Sequence, residues 1–369
     1  MTENDQRLIE RLARADPSLA RTLVPMFEAV ERGDLSAARA TLDGLAIAGE
    51  PTVARRLRMA LEIALDAISV LQTTHAAETV TFSTQFGEAP DLAGLGLDNA
   101  KLQTIAKSIL GAAQTTASQR WSCPACGGTG PRVGKAAMIG RGQPYGRLYL
   151  DFEHLLAPWR DTIHASDLQW DLVVAHIISR VKLNVPVARC TNCALFYVDW
   201  EYDPARIDRF YAGREVVDFQ IDGQPVSGRG HAPDYVFTKL ALPLHVERVL
   251  GDLKDRRLFD LGCAEGLMLE GFRRLGAQVS GGDPDVGKIL YGQSVFGHAL
   301  SSDPTALQHV EDGTLDILVS YHTVEHLVVV RPWLQTMVAK LKPGGHLVIS
   351  VPCVTLRDDG LAVEMGGDH

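Results

Sequence analysis

Leu258-Phe-Asp-Leu-Gly-Cys-Ala-Glu-Gly266 reads as a short apolar strand that ends in an acid and runs into a glycine-rich turn. The residues that follow, Leu267 to Leu275, carry apolar side chains at helical spacing. A strand that passes through a tight glycine turn into a helix is the nucleotide-cradling start of a doubly wound α/β domain. Gly262 and Gly266 let the backbone approach a ligand closely, with helix N–H groups facing it.

A glycine pattern alone is weak evidence, but the downstream pieces arrive in order. Ala277-Gln-Val-Ser-Gly-Gly-Asp-Pro284 reads as a second strand ending in Asp283, at the spacing where an acid takes two ribose hydroxyls. Asp303 follows a weak third strand at Ala299 to Ser302. Asp316-Ile-Leu-Val-Ser-Tyr321 is an apolar run fit for a buried parallel strand, and His322-Thr-Val-Glu-His-Leu327 continues it. Leu341-Lys-Pro-Gly-Gly-His-Leu-Val-Ile-Ser-Val-Pro352 supplies a turn and a fifth strand.

Together these motifs resemble the class I S-adenosylmethionine-dependent methyltransferases over roughly residues 235 to 352. Motif for motif the stretch is similar to small-molecule enzymes of the ubiquinone-pathway and sugar-modifying type. A dehydrogenase would show three glycines as GxGxxG, which the turn at 262–266 lacks. The resemblance implies an α/β, Rossmann-like domain that binds S-adenosyl-L-methionine through Asp260, Gly262, Gly266, Asp283, Asp303, Tyr321 and His322. Residues after strand four sit at the carboxyl edge of the sheet, where ligands bind in such folds. His326 is therefore the candidate general base, with Glu325 to orient it or hold a hydroxyl. The alternative for this dipeptide is a cap on the next helix.

Four of the six cysteines fall as Cys123-Pro-Ala-Cys126 and Cys190-Thr-Asn-Cys193. Two C-x₂-C pairs read as a tetrahedral, structural Zn2+ site; a redox pair and chance spacing are the competing readings. Roughly sixty residues separate the pairs, where about twenty is common. Loop closure grows only logarithmically with length, so the excess costs on the order of 1–2 kcal/mol. Structural zinc contributes roughly 10–16 kcal/mol in small peptides, so the insert does not rule the site out. A four-cysteine module ahead of the catalytic domain resembles certain bacterial sugar C-methyltransferases. The matching stretches are Cys190-Thr-Asn-Cys-Ala-Leu-Phe-Tyr197 and Arg209-Phe-Tyr-Ala212. Cys263 and Cys353 read as packing residues.

With 369 residues and 46% hydrophobic content the chain has material for two or three domains. No apolar run is long enough for a membrane span, and the polar N-terminus lacks a signal-peptide core; the expectation is a cytoplasmic protein. A net charge of −9 argues against nucleic acid as the main partner. The expected division is a helical region over 1–118, a zinc-binding module with a long insert over 119–212, a linker or lid over 213–234, and the cofactor-binding domain over 235–369.

Residues 1–110 are Ala- and Leu-rich, with Pro17 and Pro51 where helices should start. Gly33-Asp34 between two amphipathic helices resembles one tetratricopeptide unit, against the plainer reading of a small helical bundle. Another helix is expected over 98–118, a helix over Leu168–Arg180 within the insert, a loop over 140–146, and one helix over Tyr235–Leu250. Only about seventeen residues follow Pro352, so the domain is expected to lack its last two strands and leave strand five as an open edge.

Two function classes stay open. One is a methyltransferase for a small-molecule acceptor, a sugar or biosynthetic intermediate. The other is a non-catalytic binding or scaffold protein, with the N-terminal helices or the open sheet edge meeting a protein partner. RNA or protein methylation is a third reading, disfavoured by the acidic charge. His322-Thr-Val-Glu-His326 also spells an inverted zinc-peptidase motif, but it follows a buried strand rather than lying on a long helix. A divalent ion on His322, Glu325 and His326 is a further alternative.

Overall fold

The computed structural model describes residues 17–44, 51–73, 77–81, 94–116, 120–137, 160, 173, 184–200, 217–221, 224–327, 329–351, 354–356 and 363–365. Helices α1 (Pro17–Glu31) and α2 (Leu35–Asp43) form a hairpin around Gly33, whose φ of +75° suits a residue without Cβ. Asp34 caps α2 by accepting the Ala37 N–H at 2.9 Å. Helix α3 (Pro51–Thr73) buries two faces. Leu57, Leu61 and Leu65 repeat every turn and pack with Leu23, Met26, Phe27 and Leu42. Met59, Ala60, Ile63 and Ala64 pack with Val236 and Leu240. Strand β1 (Ala77–Thr81) and helix α4 (Asn99–Thr116) follow.

The first cysteine pair precedes β2 (Arg132–Ala137) and the second lies between β3 (Asn184–Arg189) and β4 (Phe196–Val198), three strands that form a small antiparallel sheet in that order. Ala137 pairs with Asn184, so the long insert leaves and re-enters at one end of the β2–β3 ladder while Arg132 pairs with Ala188 near the other. The length of the insert therefore leaves the spacing of the cysteine pairs untouched. The expected loop over 140–146 lies outside the described residues. So does the expected helix over 168–180, apart from Val173, which is helical and buried.

Strands β5 (Val217–Ile221) and β6 (Gln224–Val226) form a hairpin, and β5 pairs antiparallel with β1. This occupies part of the segment expected as a linker or lid. The overlooked signal is Asp222-Gly223, a dipeptide favoured in two-residue hairpin turns. The hairpin is packed: Ile221 and Val226 share a core with Ala67, Leu71, Tyr291 and Val295. The single helix expected over 235–250 is two, α5 (Pro233–Lys239) and α6 (Ala241–Leu250). Pro243 has no amide for the Lys239 carbonyl and its ring crowds that turn, so the break falls at Leu240.

The main sheet has the order β11-β10-β7-β8-β9. Strand β7 (Arg257–Leu261) leads into α7 (Leu267–Arg274), then β8 (Gln278–Gly282), α8 (Val286–Tyr291) with a π-helical turn over Gly292–Phe296, and β9 (Ala299–Ser301). Strand β10 (Leu315–Tyr321), α9 (Val330–Lys340) and β11 (Leu341–Ser350) complete it. The pairs β10–β7, β7–β8 and β8–β9 are parallel. Leu258, Phe259, Ile317, Leu318 and Val319 are buried, the near-continuous apolar character of strands covered on both faces. This is the expected α/β domain with a parallel five-stranded sheet. The chain after Ser350 does form two short strands, β12 (Val354–Leu356) and β13 (Val363–Met365). They pair antiparallel with each other and not with β11, which remains an edge among the described residues.

By packing, Met1–Phe82, Glu215–Tyr321 and Met337–Val348 form one unit, and Ser83–Arg214, His322–Thr336 and Ile349–His369 a second. The first 82 residues thus share a unit with the sheet, while α4 belongs with the cysteines. An ion-pair network ties the N-terminal helices to α7: Arg274 meets Glu270 at 2.8 Å, Glu62 at 3.4 Å and also Asp66, which Arg39 holds at 2.5 Å. No helix among the described residues is long and apolar enough to cross a membrane.

Candidate functional site

The glycine turn is built as its sequence suggests. Gly262 and Gly266 have φ of +79° and +72°, and Gly262 N–H donates to Gly282 O at 2.8 Å, joining the turn to the end of β8. A Cβ at Gly266 would stand 2.9 Å from the His298 ring, so the position needs glycine for space as well as for φ. Asp283 closes the crossing: one oxygen accepts the Ala264 N–H at 2.9 Å and the other the Asp285 N–H at 3.0 Å.

Asp260, on β7, is fully buried, and neither carboxylate oxygen has a partner among the described residues. Burial first, and then the charge of Asp283, push its carboxyl up to about 8, with Lys239 acting the other way. Burial lowers the Lys239 ammonium, opposed by Glu265 and Asp260. Lys239 lies 5.4 Å from the Tyr235 ring centre and 4.9 Å from that of Tyr321. Burial, reinforced by the charge of Glu265, raises the Tyr235 phenol above the ordinary value. Arg229 stacks on the same ring at 4.8 Å.

The structure thus brings together Asp260, Gly262, Gly266, Asp283 and Tyr321 of the expected set. It adds Tyr235, Lys239, Glu265 and Arg229, which sequence reasoning missed. The available signal was Tyr235 and Lys239 one helical turn apart on α5. Asp303 sits otherwise: Oδ1 accepts from Thr305 N–H at 2.7 Å and Oδ2 meets His309 at 3.1 Å, beside the short 3₁₀ turn over Ala306–His309.

His322, Glu325 and His326 belong to the second unit, immediately after β10. His322 has a φ of +54°, its N–H donates to Ser350 O at 2.8 Å, and Nδ1 lies 3.5 Å from Glu325 Oε1. Val324–His326 form one 3₁₀ turn, and burial raises the Glu325 carboxyl.

Among the described residues one set converges as metal ligands: Cys123, Cys126, Cys190 and Cys193, with sulfurs all within 4.8 Å of one another. The His322, Glu325 and His326 trio does not. Cys123 and Cys193 sulfurs are 3.6 Å apart and Cys126 and Cys190 3.4 Å, near the edge of about 3.8 Å that metal–sulfur bonds of about 2.3 Å give a tetrahedron. Each knuckle is a tight turn, with Gly127 N–H on Cys123 O at 2.8 Å and Ala194 N–H on Cys190 O at 3.0 Å. The Cys193 amide pulls the Cys190 thiol down to about 7, while burial lifts Cys123. A Cβ at Gly130 would overlap Arg189 O, so this glycine lets the two knuckle strands meet. Below them buried Asp199 holds Arg120 at 2.9 Å and Arg132 at 2.6 Å.

Residues 235–368 match the family model for a methyltransferase domain. The chain is 38% identical over 107 residues to a ubiquinone biosynthesis O-methyltransferase of Nitrobacter winogradskyi, covering 28% of this chain and 41% of that protein. It is 36% identical over 105 residues to the protein of the same name in a Bradyrhizobium species, covering 27% and 42%. A solved methyltransferase from Archaeoglobus fulgidus is similar at 25% identity and a TM-score of 0.27, over 31% of this chain and 53% of that one. The chain spans about four tenths of the length of the curated relatives it matches. Its carboxyl-terminal part is an S-adenosylmethionine-dependent methyltransferase domain.

Proposed function

We propose that the whole protein transfers a methyl group from S-adenosylmethionine to a small molecule, a sugar or biosynthetic intermediate, and that Zn2+ on the four cysteines is structural. The observation that carries the cofactor reading is Asp260: a fully buried carboxylate without a partner, beside a glycine cradle and a second acid, fits a ligand that brings donors and positive charge. The bound cofactor supplies an electrophilic methyl already activated by its sulfonium. Asp283 offers its remaining lone pairs to ribose hydroxyls, and Gly262 and Gly266 keep the backbone clear for close approach. Lys239 offsets part of the negative charge of Asp260 and Glu265.

The chain's remaining tasks are to align the acceptor and take one proton. Residues 322–327 follow directly on the carboxyl end of β10, the sheet edge at which ligands bind in open α/β folds. His326 is the proposed base. The 3.5 Å approach of Glu325 to His322 supports a role for Glu325 in ordering that turn. The ubiquinone-pathway names of the relatives support a small acceptor. The test is twofold. Calorimetry with S-adenosylhomocysteine should detect binding, and label from methyl-labelled cofactor should pass to one compound in a panel of nucleotide sugars and phenolic precursors. Absence of binding would leave a scaffold role.

A further inference from the structure

The segment 322–336 continues β10 without interruption, yet its backbone packs with the cysteine module. A side-chain hydrogen bond anchors it there. Arg331, at the start of α9, donates from Nε to the carbonyl of Ala125 at 3.2 Å, and Ala125 lies between two of the cysteines, Cys123 and Cys126. That carbonyl is set by the knuckle turn, which Cys123 N–H closes on Gly128 O at 2.6 Å. At the other end of the segment His322 holds a left-handed φ of +54° that a side chain adopts only when its surroundings impose it. Its amide is fixed by Ser350 O, in another piece of the same unit. Between these two anchors lies the 3₁₀ turn with Glu325 and His326.

We propose that the four-cysteine centre is a positioning element for the acceptor-side turn: the metal sets the knuckle, Ala125 holds Arg331, and Arg331 holds the segment that carries Glu325 and His326. This rests on the methyltransferase and zinc readings above. It assigns Arg331 a positioning role and gives the metal a task beyond holding its own module together.

Hydrogen exchange followed by mass spectrometry on the full chain tests it, with four samples: zinc-loaded protein, protein stripped by a chelator, Arg331→Met and Arg331→Lys. Exchange over 322–336 should accelerate about tenfold or more on chelation and in Arg331→Met, as for a segment released to open locally. Peptides over 258–283 should stay unchanged, as should S-adenosylhomocysteine affinity by calorimetry. Arg331→Met should retain its zinc, and Arg331→Lys, which keeps a donor, should recover part of the protection. Unchanged exchange over 322–336 in Arg331→Met overturns the proposal, as does acceleration that spreads equally through 258–283. If the zinc-loaded protein fails to bind S-adenosylhomocysteine, the cofactor reading falls, and the exchange pattern still decides the role of Arg331.

Discussion

The amide of Ala264 donates to a carboxylate oxygen of Asp283 at 2.9 Å, so the acid at the end of the second strand also braces the glycine turn at the end of the first. The same carboxylate accepts the Asp285 amide at 3.0 Å. The residue proposed to meet ribose hydroxyls is therefore also part of the frame that holds the turn open.

Asp283→Ala should weaken S-adenosylhomocysteine binding by roughly 1–3 kcal/mol, the scale of a lost charge-assisted bond. It should also lower the melting temperature, because two amides lose their acceptor. Asp283→Asn keeps one acceptor oxygen and should recover part of the stability but little of the affinity. Affinity unchanged in both variants would remove Asp283 from the ribose site.

Asp260 makes stability depend on pH. Its folded-state value of about 8 lies above the ordinary 3.8, so between those values the native state holds a proton that the unfolded chain releases. Stability from this group is complete below 3.8 and is lost as pH rises through 8. Asp260→Asn should therefore melt higher than wild type near pH 8, with the gap closing in acid, and should bind cofactor more weakly. Calorimetry in buffers of different ionisation enthalpy should register proton release when the ligand binds near neutral pH. Equal pH dependence of melting in the two proteins would contradict this.

Purified protein should contain one zinc per chain by elemental analysis. Ala194 holds a φ of +61° in the second knuckle, where Gly127 holds +73° in the first. A left-handed alanine costs roughly 1–2 kcal/mol, and glycine's greater chain entropy returns about half of that. Ala194→Gly should thus stabilise the zinc-loaded protein by up to about 1 kcal/mol, read as a higher melting temperature or tighter zinc in a chelator competition. A lower melting temperature would show that the alanine methyl is packed to advantage.

His326→Ala should slow label transfer to the acceptor by about 10²–10⁴-fold, the range for removal of a general base, with cofactor affinity unchanged. Glu325→Gln should slow it less, since Glu325 lies 3.5 Å from His322 and acts by ordering the turn. Full activity in His326→Ala would leave the dipeptide a structural turn.

Much of the domain was legible because its signals are local. The apolar runs at 258–261 and 315–321, the glycines at 262 and 266 and the two C-x₂-C pairs each state their structure within a few residues. The glycine turn between the first two strands and the convergence of four sulfurs follow from those pieces. What tertiary structure alone decided joins residues far apart in sequence. Pro243 broke the helix before β7 and left Lys239 at its end, where folding set it between the Tyr235 and Tyr321 rings near Asp260 and Glu265. The pairing of Ala137 with Asn184 made the long insert harmless to the cysteine site. A second face on α3 drew the N-terminal helices into the sheet's own unit. Arg331 met Ala125 across more than two hundred residues of chain. Periodicity and turn chemistry act over one or two turns of backbone, whereas these contacts depend on which buried surfaces the whole chain brings together.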